Sequence, residues 1–504
     1  VVKSISPIRV YGDFGSRKLA LDSLTINNLL ELFSEKEQRM HDWYSMLDKY
    51  VIYPLYYKRV GDPRLAHWQQ LEVQQFWSPS KLAALQLQKL QQMLNHAYST
   101  VPFYKDLYDS AGISPRDLQS VQDIQYFPCV TKQDIQDQGD RLLSSKYDKA
   151  DLVADASGGS TGKPTSFYKD KAQFRLRSAD QIRHDRWSGW DLGDPYALVW
   201  GAQKDLTAIE SRRQRFVTQY IHRIIPLDAF DLTEERIIHY INILEARQPP
   251  MILGYANALA QFAQFLAQQK PNHTIRPKGI ISSAESLSPE NKQLIEKVFQ
   301  CKVLNRYGSR EVGLVASECQ QQTGLHINSD NILMEIGNFG ADSTDNQSQR
   351  IPKLCAHEES GEIIVTDFWN FGMPFIRYRM GDEGHTLAKS CPCNRTLPLL
   401  GKVSGRVSDF IIASSGRKIH GEFFTHLFYH KPHVKQFQLI QHTLNQIDLK
   451  IVADTLNEME QAALQAEIQA ACGKDVQVNI IHCEKIPPAP SGKHMFTISK
   501  LKTL

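Results

Sequence analysis

The 504-residue chain is too long for one hydrophobic core and is expected to form two or more domains. Its 58 Lys and Arg against 55 Asp and Glu give a net charge of +3, which argues against a dedicated nucleic-acid surface. With 42% hydrophobic and 22% charged residues the composition is that of a soluble globular protein, and no run approaches the length of a membrane span, about 18 apolar residues.

Residues 20–150 are mostly helical in pattern: Leu24, Leu29, Leu30 and Phe33 recur at helical spacing, as do Leu82, Leu85, Leu87, Leu90 and Met93. An amphipathic helix is expected over Leu82–His96, with breaks at Pro102 and Pro128. From residue 150 strands and helices alternate. Thr165–Tyr168, Tyr196–Trp200 and Gly279–Ser283 read as strands, Glu234–Arg247 and Pro289–Phe299 as helices. Such alternation predicts sheets covered by helices. Gly340–Gln349 reads as an exposed polar loop, and the glycine-rich, polar stretch 401–409 as a domain boundary. Beyond it, strands over Phe437–Ile451 and Val476–Cys483 enclose a helix over Asn457–Ala471. The expected fold class is α/β (α+β): a large domain of helix-covered sheets, its helical part at 1–150 and its binding part at 151–404, then a small mobile α+β domain at 405–504.

Ser157, Gly158, Gly159, Ser160, Thr161, Gly162, Lys163, Pro164 and Thr165 form a loop almost without side-chain bulk. Its N–H groups, hydroxyls and ammonium suit a polyphosphate. The spacing is not that of a Walker A loop, because Gly158 and Gly162 enclose three residues and Pro164 follows the lysine. An ordinary Gly/Ser turn is the competing reading. Further strings follow in order: Asn305-Arg306-Tyr307-Gly308-Ser309-Arg310-Glu311, Phe375-Ile376-Arg377-Tyr378-Arg379-Met380-Gly381-Asp382, Gly405-Arg406-Val407-Ser408-Asp409 and Pro490-Ser491-Gly492-Lys493.

This ordered set resembles the adenylate-forming superfamily of acyl-CoA synthetases, luciferases and adenylation domains. The segments Trp77-Ser78-Pro79, Ala97–Tyr104 and Phe127–Lys132 narrow the resemblance to the phenylacetate–CoA ligase family and its capsular-polysaccharide relatives, from about Trp77 onward. The resemblance implies activation of a small carboxylic acid with ATP, then transfer to a thiol, most simply an aryl acid to coenzyme A. An amine or sugar acceptor is the alternative, and a non-catalytic nucleotide-binding subunit the remote one. It also implies roles. The 157–165 loop and Arg310 contact phosphates, Glu311 holds Mg²⁺, and Tyr307 in its Gly308-Ser309 turn stacks on adenine. Asp382 takes the ribose hydroxyls, Arg406 binds ribose or phosphate, and Lys493 bridges carboxylate and α-phosphate. Ser408 and Asp409 mark a hinge. Two positions depart from the family: Arg310 stands where Thr is usual, and Ser408 where an acid is usual. Glu285, after Ser282-Ser283-Ala284, is assigned to the nucleotide or to a helix cap. Trp200, Tyr255, His184 and Trp187 fall in segments that line or precede the acid pocket of relatives, or are simple core.

Cys319, His326, Cys391 and Cys393 make a Cys₃His set of the kind structural Zn²⁺ prefers, with Cys355 and His357 as spare donors. Three reduced thiols and a surface histidine are the plain alternative. Eight scattered cysteines, and a start over Val1–Gly15 without a basic-then-apolar signal, suggest a reducing, cytoplasmic setting. No nucleic acid is expected as a partner, and a homodimer is compatible with the reading.

Overall fold

A computed structural model describes residues 40–157, 165–200, 212–229, 232–285, 287–339, 350–403, 410–428, 431, 434–453, 456–486 and 496–501. The helical spacing at Leu24–Phe33 and the loop at 340–349 fall outside them. Helices dominate the first part. Pro79–Thr100 begins where Ser78 caps the Lys81 N–H with Pro79 in the first turn, and it buries Leu82, Leu90, Met93, Leu94 and Ala97 on one face. No helix among the described residues is long and apolar enough to cross a membrane.

Strands follow in chain order: β1 (Val153–Ser157), β2 (Thr165–Lys169), β3 (Tyr196–Trp200), β4 (Ile224–Asp228), β5 (Met251–Tyr255), β6 (Gly279–Ser283), β7 (Lys302–Ser309), β8 (Gly313–Glu318) and β9 (Leu325–Ile327). Then come β10 (Ile332–Asn338), β11 (Lys353–Leu354), β12 (Gly361–Asp367), β13 (Tyr378–Gly384), β14 (Thr386–Leu387) and β15 (Leu399–Leu400). Nine of them make one sheet in the order β14-β15-β9-β8-β7-β6-β5-β3-β4. From β4 to β7 neighbours are parallel, and from β7 to β14 antiparallel. The parallel strands are buried throughout at β3, β5 and β6, as expected when helices cover both faces. The carboxyl ends of β3, β5, β6 and β7 lie together, which is where open α/β sheets bind ligands. A second, antiparallel sheet runs β11-β10-β12-β13, and β1 and β2 form a separate hairpin.

Glu234–Arg247, Ala256–Gln269 and Pro289–Phe299 pack Leu244, Phe262, Leu266 and Phe299 into one core with β3–β6. Gly279 opens β6 beneath the end of a helix, where a Cβ would stand 2.4 Å from the Ser188 carbonyl oxygen. A second core joins Pro79–Thr100 to β10, β12 and β13 through Leu90, Tyr104, Phe375 and Tyr378. Each such side chain contributes roughly 1.5–3 kcal/mol by leaving water.

The last part has its own core of Phe424, Phe437, Leu439, Ile447, Leu449, Leu464 and Ile468. β16 (Phe410–Ile412) pairs with β17 (Lys418–His420). β18 (Val434–Thr443), β19 (Gln446–Ala453), β20 (Gln477–His482) and β21 (Thr497–Ser499) form a sheet in the order β20-β19-β18-β21. Helix Glu458–Cys472 starts at a capping box in which Asn457 and Glu460 satisfy each other's N–H.

Candidate active site and metal centre

β7 and β8 are joined by a tight turn in which Ser309 pairs with Gly313 around Arg310, Glu311 and Val312. Gly313 takes φ +78°, and the Val312 N–H bonds Ser309 Oγ at 3.3 Å. A hairpin tip is normally wet, yet Glu311 is fully buried there. Tyr378 Oη donates to Glu311 Oε1 at 3.3 Å, and Arg177 Nη2 donates to the Glu311 carbonyl at 2.5 Å. The carboxylate is therefore turned inward and held. Two residues before the turn, Tyr307 Oη donates to Asp382 Oδ2 at 3.0 Å. Tyr307, Tyr378, Asp382 and Glu311 thus draw the second and third sequence strings together across β7 and β13.

The first string joins them through its stem. Ser157 ends β1 and pairs with Thr165, which opens β2. Gly158, Gly159, Ser160, Thr161, Gly162 and Lys163 lie between them, outside the described residues, as do Arg406, Ser408, Asp409 and Lys493. Asp155 on β1 meets Lys169 on β2 at 2.5 Å and Arg310 on the hairpin at 3.4 Å. Burial alone would raise the Asp155 carboxyl, but Lys169 and Arg310 override it and hold it at about 2. Burial pushes the Lys169 ammonium down to about 8. Arg310, which replaces the family's Thr, therefore ties the Glu311 turn to the base of the glycine loop.

Glu285 follows β6 and Ala284, which sits in the left-handed region at φ +69°. Its Oε2 accepts from the Asn257 N–H at 2.7 Å and from Asn257 Nδ2 at 2.6 Å. It caps the Ala256–Gln269 helix, whereas Ser288 caps the helix at Pro289. Trp200 and Tyr255, at the carboxyl ends of β3 and β5, stack with ring centres 4.3 Å apart. His184 and Trp187 stack on each other at 4.2 Å, but Trp187 lies against His326, 5.3 Å away, and so belongs to a different place.

That place is the Cys/His cluster. Cys319 follows β8, His326 is in β9, and Cys391 and Cys393 lie between β14 and β15. Their donor atoms all fall within 4.8 Å of one another. Cys319 Sγ is 3.6 Å from Cys391 Sγ, and His326 Nε2 is 3.3 Å from Cys393 Sγ. A tetrahedral ion with Zn–S about 2.3 Å and Zn–N about 2.0 Å needs edges of about 3.8 and 3.5 Å, so the set is closed to nearly the right size. Cys355 and His357 are not in this cluster; His357 Nδ1 is 2.9 Å from Thr386 Oγ1.

Sequence reasoning missed Arg177. It anchors the hairpin through the Arg310 and Glu311 carbonyls and meets Asp367 at 3.4 Å. Nothing local marks it, since it sits in a helix of mixed charge.

The order of the strings and this arrangement define an adenylate-forming fold. The chain aligns with 84% of its length to 91% of the structure of 2-hydroxyisobutyryl-CoA ligase in complex with 2-HIB-AMP and CoA, at a TM-score of 0.58 and 18% identity. It is 24% identical over 440 residues to protein CapK of Staphylococcus aureus, covering 86% of this chain and 92% of that protein. It is 26% identical over 431 residues to phenylacetate–coenzyme A ligase of Escherichia coli strain K12, covering 81% and 93%. Residues 411–500 match the CapK C-terminal domain family. Over most of its length the chain is similar to CapK and to phenylacetate–CoA ligases, and its fold is that of the adenylate-forming CoA ligases.

Proposed function

We propose that the chain is an AMP-forming ligase. It activates a small carboxylic acid with ATP as the acyl-adenylate, releasing pyrophosphate, and passes the acyl group to the thiol of coenzyme A. The observation that carries this reading is the buried Glu311 carboxylate held by Tyr378, on a strand turn that follows the Tyr307–Asp382 pair and is tied by Arg310 to the stem of the glycine loop. The similarity to phenylacetate–coenzyme A ligases supports the acid and the thiol. The aryl acid implied by the resemblance finds its support in the stacked Trp200–Tyr255 pair at the strand ends.

Joining a carboxylate to a triphosphate brings two anions together and builds charge on the α-phosphate. Fixed donors and cations must be placed where that charge grows. The Gly158–Lys163 backbone and Lys163 take the departing pyrophosphate, Asp382 and Tyr307 orient ribose and adenine, and Arg406 steadies ribose or phosphate. Lys493 places its ammonium between the reacting groups. The inward-facing Glu311 carboxylate, steadied by Tyr378, fits a site for Mg²⁺, which supplies positive charge against phosphate oxygens. Residues 405–504 act as a lid turning about Ser408 and Asp409, because the two half-reactions need different groups at one carbonyl carbon. A second reading, transfer to an amine or sugar, shares the first half-reaction.

We further propose that Cys319, His326, Cys391 and Cys393 hold one structural Zn²⁺. The closed donor set fits a role in pinning β8 and β9 to the β14–β15 loop. One zinc per chain, and a lower melting temperature with a chelator or Cys391→Ser, are expected. Substoichiometric zinc with unchanged melting of Cys391→Ser contradicts it.

The ligase reading is tested by exchange of labelled pyrophosphate into ATP. Exchange is expected only with an acid and Mg²⁺, followed by a thioester when coenzyme A is added. Exchange without acid, or release of phosphate without AMP, contradicts it.

A further inference from the structure

Glu311 is held by its side chain and by its main chain, and both holds lead to the second sheet. The side chain meets Tyr378 on β13, 3.3 Å away. The main chain is held by Arg177 of the Lys171–Arg186 helix. Arg177 Nη1 donates to the Arg310 carbonyl at 3.2 Å, and Nη2 donates to the Glu311 carbonyl at 2.5 Å. Nη2 also lies 3.4 Å from Asp367 Oδ2, at the end of β12. β12 and β13 are neighbours, with Val365 opposite Tyr378. Asp367 is itself fixed: Oδ1 accepts from the Trp369 N–H at 2.9 Å, and Oδ2 accepts from Gln173, one turn before Arg177. Two consecutive carbonyls on one planar fork fix the peptide planes on either side of Glu311. They thereby fix the direction of its Cα–Cβ bond, so the main chain aims the carboxylate before Tyr378 touches it. A guanidinium can do this because its donors share a rigid plane, whereas an ammonium is a point charge. The turn is shaped to admit the fork. Gly313 lies at φ +78°, and a Cβ there would stand 2.7 Å from Arg177 Nε. That Nε is buried without a hydrogen-bond partner among the described residues. A buried donor left unmade costs stability, so packing alone does not account for an arginine here.

We propose that Arg177 is a positioning residue for acid activation: by clamping the Arg310 and Glu311 carbonyls against Asp367, it aims the Glu311 carboxylate and sets how tightly the metal is held beside ATP. This rests on the assignment of Glu311 to Mg²⁺ above and adds a residue to that site. Magnesium demands near-ideal octahedral geometry, so a carboxylate free to swing binds it less tightly even with its charge intact. Tyr378 alone leaves the main chain of the turn unconstrained, and Arg177 alone leaves the side-chain torsions of Glu311 unconstrained. The plain alternative is that Arg177 only ties the helix to the two sheets. Its loss then lowers stability and leaves the metal requirement as it was.

The test uses the full chain, with Mn²⁺ as a paramagnetic probe of the magnesium position. Mn²⁺ is titrated with ATP and no acid, with and without protein, and read by electron paramagnetic resonance. Arg177→Lys keeps the charge and loses the fork. It is expected to weaken Mn²⁺ binding about tenfold, the worth of one hydrogen bond to a charged group, while the melting temperature stays near that of the wild type. In pyrophosphate exchange the Mg²⁺ concentration at half-maximal rate should rise by the same factor, and saturating Mg²⁺ should recover most of the rate. Asp367→Asn weakens the anchor without touching the turn and should act in the same direction, by about threefold. In a Glu311→Gln background Arg177→Lys should weaken Mn²⁺ binding no further, because no carboxylate is left to aim. The proposal is overturned if Arg177→Lys melts earlier yet binds Mn²⁺ as the wild type does, if its effect persists undiminished beside Glu311→Gln, or if the wild type binds no Mn²⁺ with ATP. Should Arg177→Lys fail to fold, Asp367→Asn decides by the same readings. The two readings fail separately. Mn²⁺ binding that depends on Arg177, without exchange for any acid, sinks the ligase reading alone. Acid-dependent exchange with an unchanged Mg²⁺ requirement in Arg177→Lys sinks this one alone.

Discussion

The Lys171–Arg186 helix carries two clusters of buried charge, and they are built differently. Around Arg183 the guanidinium bonds Asp330 and Asn328, Asp180 accepts from Asn331 at 2.5 Å, and Lys89 reaches the Asp330 carbonyl at 2.5 Å. Two cations face two carboxylates, both Arg183 and Asp330 are fully buried, and the cluster binds the Pro79–Thr100 helix to the loop before β10. Burial pushes Lys89 down to about 8 and Asp180 up to about 7, so this cluster is held at a desolvation cost that its partners offset. Around Arg177, nearly two turns earlier, Arg177, Lys169, Arg306 and Arg310 line a small cavity, and Asp155, Asp367 and Asp185 pair with them from outside it. The first cluster ties a helix to a distant loop, while the second ties the β7–β8 turn to the stem of the glycine loop.

The largest effect comes from breaking the closed cluster. Asp330→Ala leaves Arg183 uncompensated and is expected to cost about 4 kcal/mol of unfolding free energy in urea. A loss under about 1 kcal/mol would remove the distinction between the clusters. Asp155→Asn, in the open cluster, should cost less, about 2 kcal/mol, because the cavity lets water reach Lys169 and Arg310. A loss in Asp155→Asn as large as that in Asp330→Ala would contradict the comparison.

A single buried carboxyl sharpens the contrast further. Asp48 sits in the Asp48–Ile52 turn with both carboxylate oxygens buried and without hydrogen-bond partners among the described residues. Burial pushes its pKa up to about 8, against the pull of Arg223. Because the folded value lies above the unfolded one, its contribution is fully present below the ordinary aspartate range and is lost as pH rises towards 8. The slope is at most about 1.4 kcal/mol per pH unit. Asp48→Asn should flatten stability across that window, seen as a melting temperature that no longer falls with pH. An unchanged slope would show that Asp48 is neutralised by another route.

What was legible in the sequence follows from physics that acts locally. Tyr196–Trp200, Gly279–Ser283, Glu234–Arg247 and Pro289–Phe299 appear at the expected bounds, because apolar runs and helix caps at Thr233 and Ser288 are local signals. The stretch Phe437–Ile451 resolves into β18 and β19 around a turn at Leu444 and Asn445. Cys319, His326, Cys391 and Cys393 were readable as a donor set because few roles bury such residues together. The Lys171–Arg186 helix was not readable as a core element. It has no apolar stripe, yet it buries Gln173, Ser178, Asp180, Arg183, His184 and Asp185. Their partners, Asn328, Asp330, Arg306 and Asp367, come from distant strands and loops, so the compensation that permits burial exists only in the folded chain. Glu285 shows the converse: a residue assigned to the nucleotide or to a cap makes cap hydrogen bonds to the neighbouring helix.

Glu311 offers the most direct test of the central claim, that the turn between β7 and β8 serves acid activation. Glu311→Gln keeps the shape and the Tyr378 contact but removes the charge. Acid- and Mg²⁺-dependent pyrophosphate exchange should fall by a factor of about 100, the cost of one lost charge-stabilising contact of roughly 3 kcal/mol, while the melting temperature stays within a few degrees. Exchange at the wild-type rate in Glu311→Gln would contradict the account.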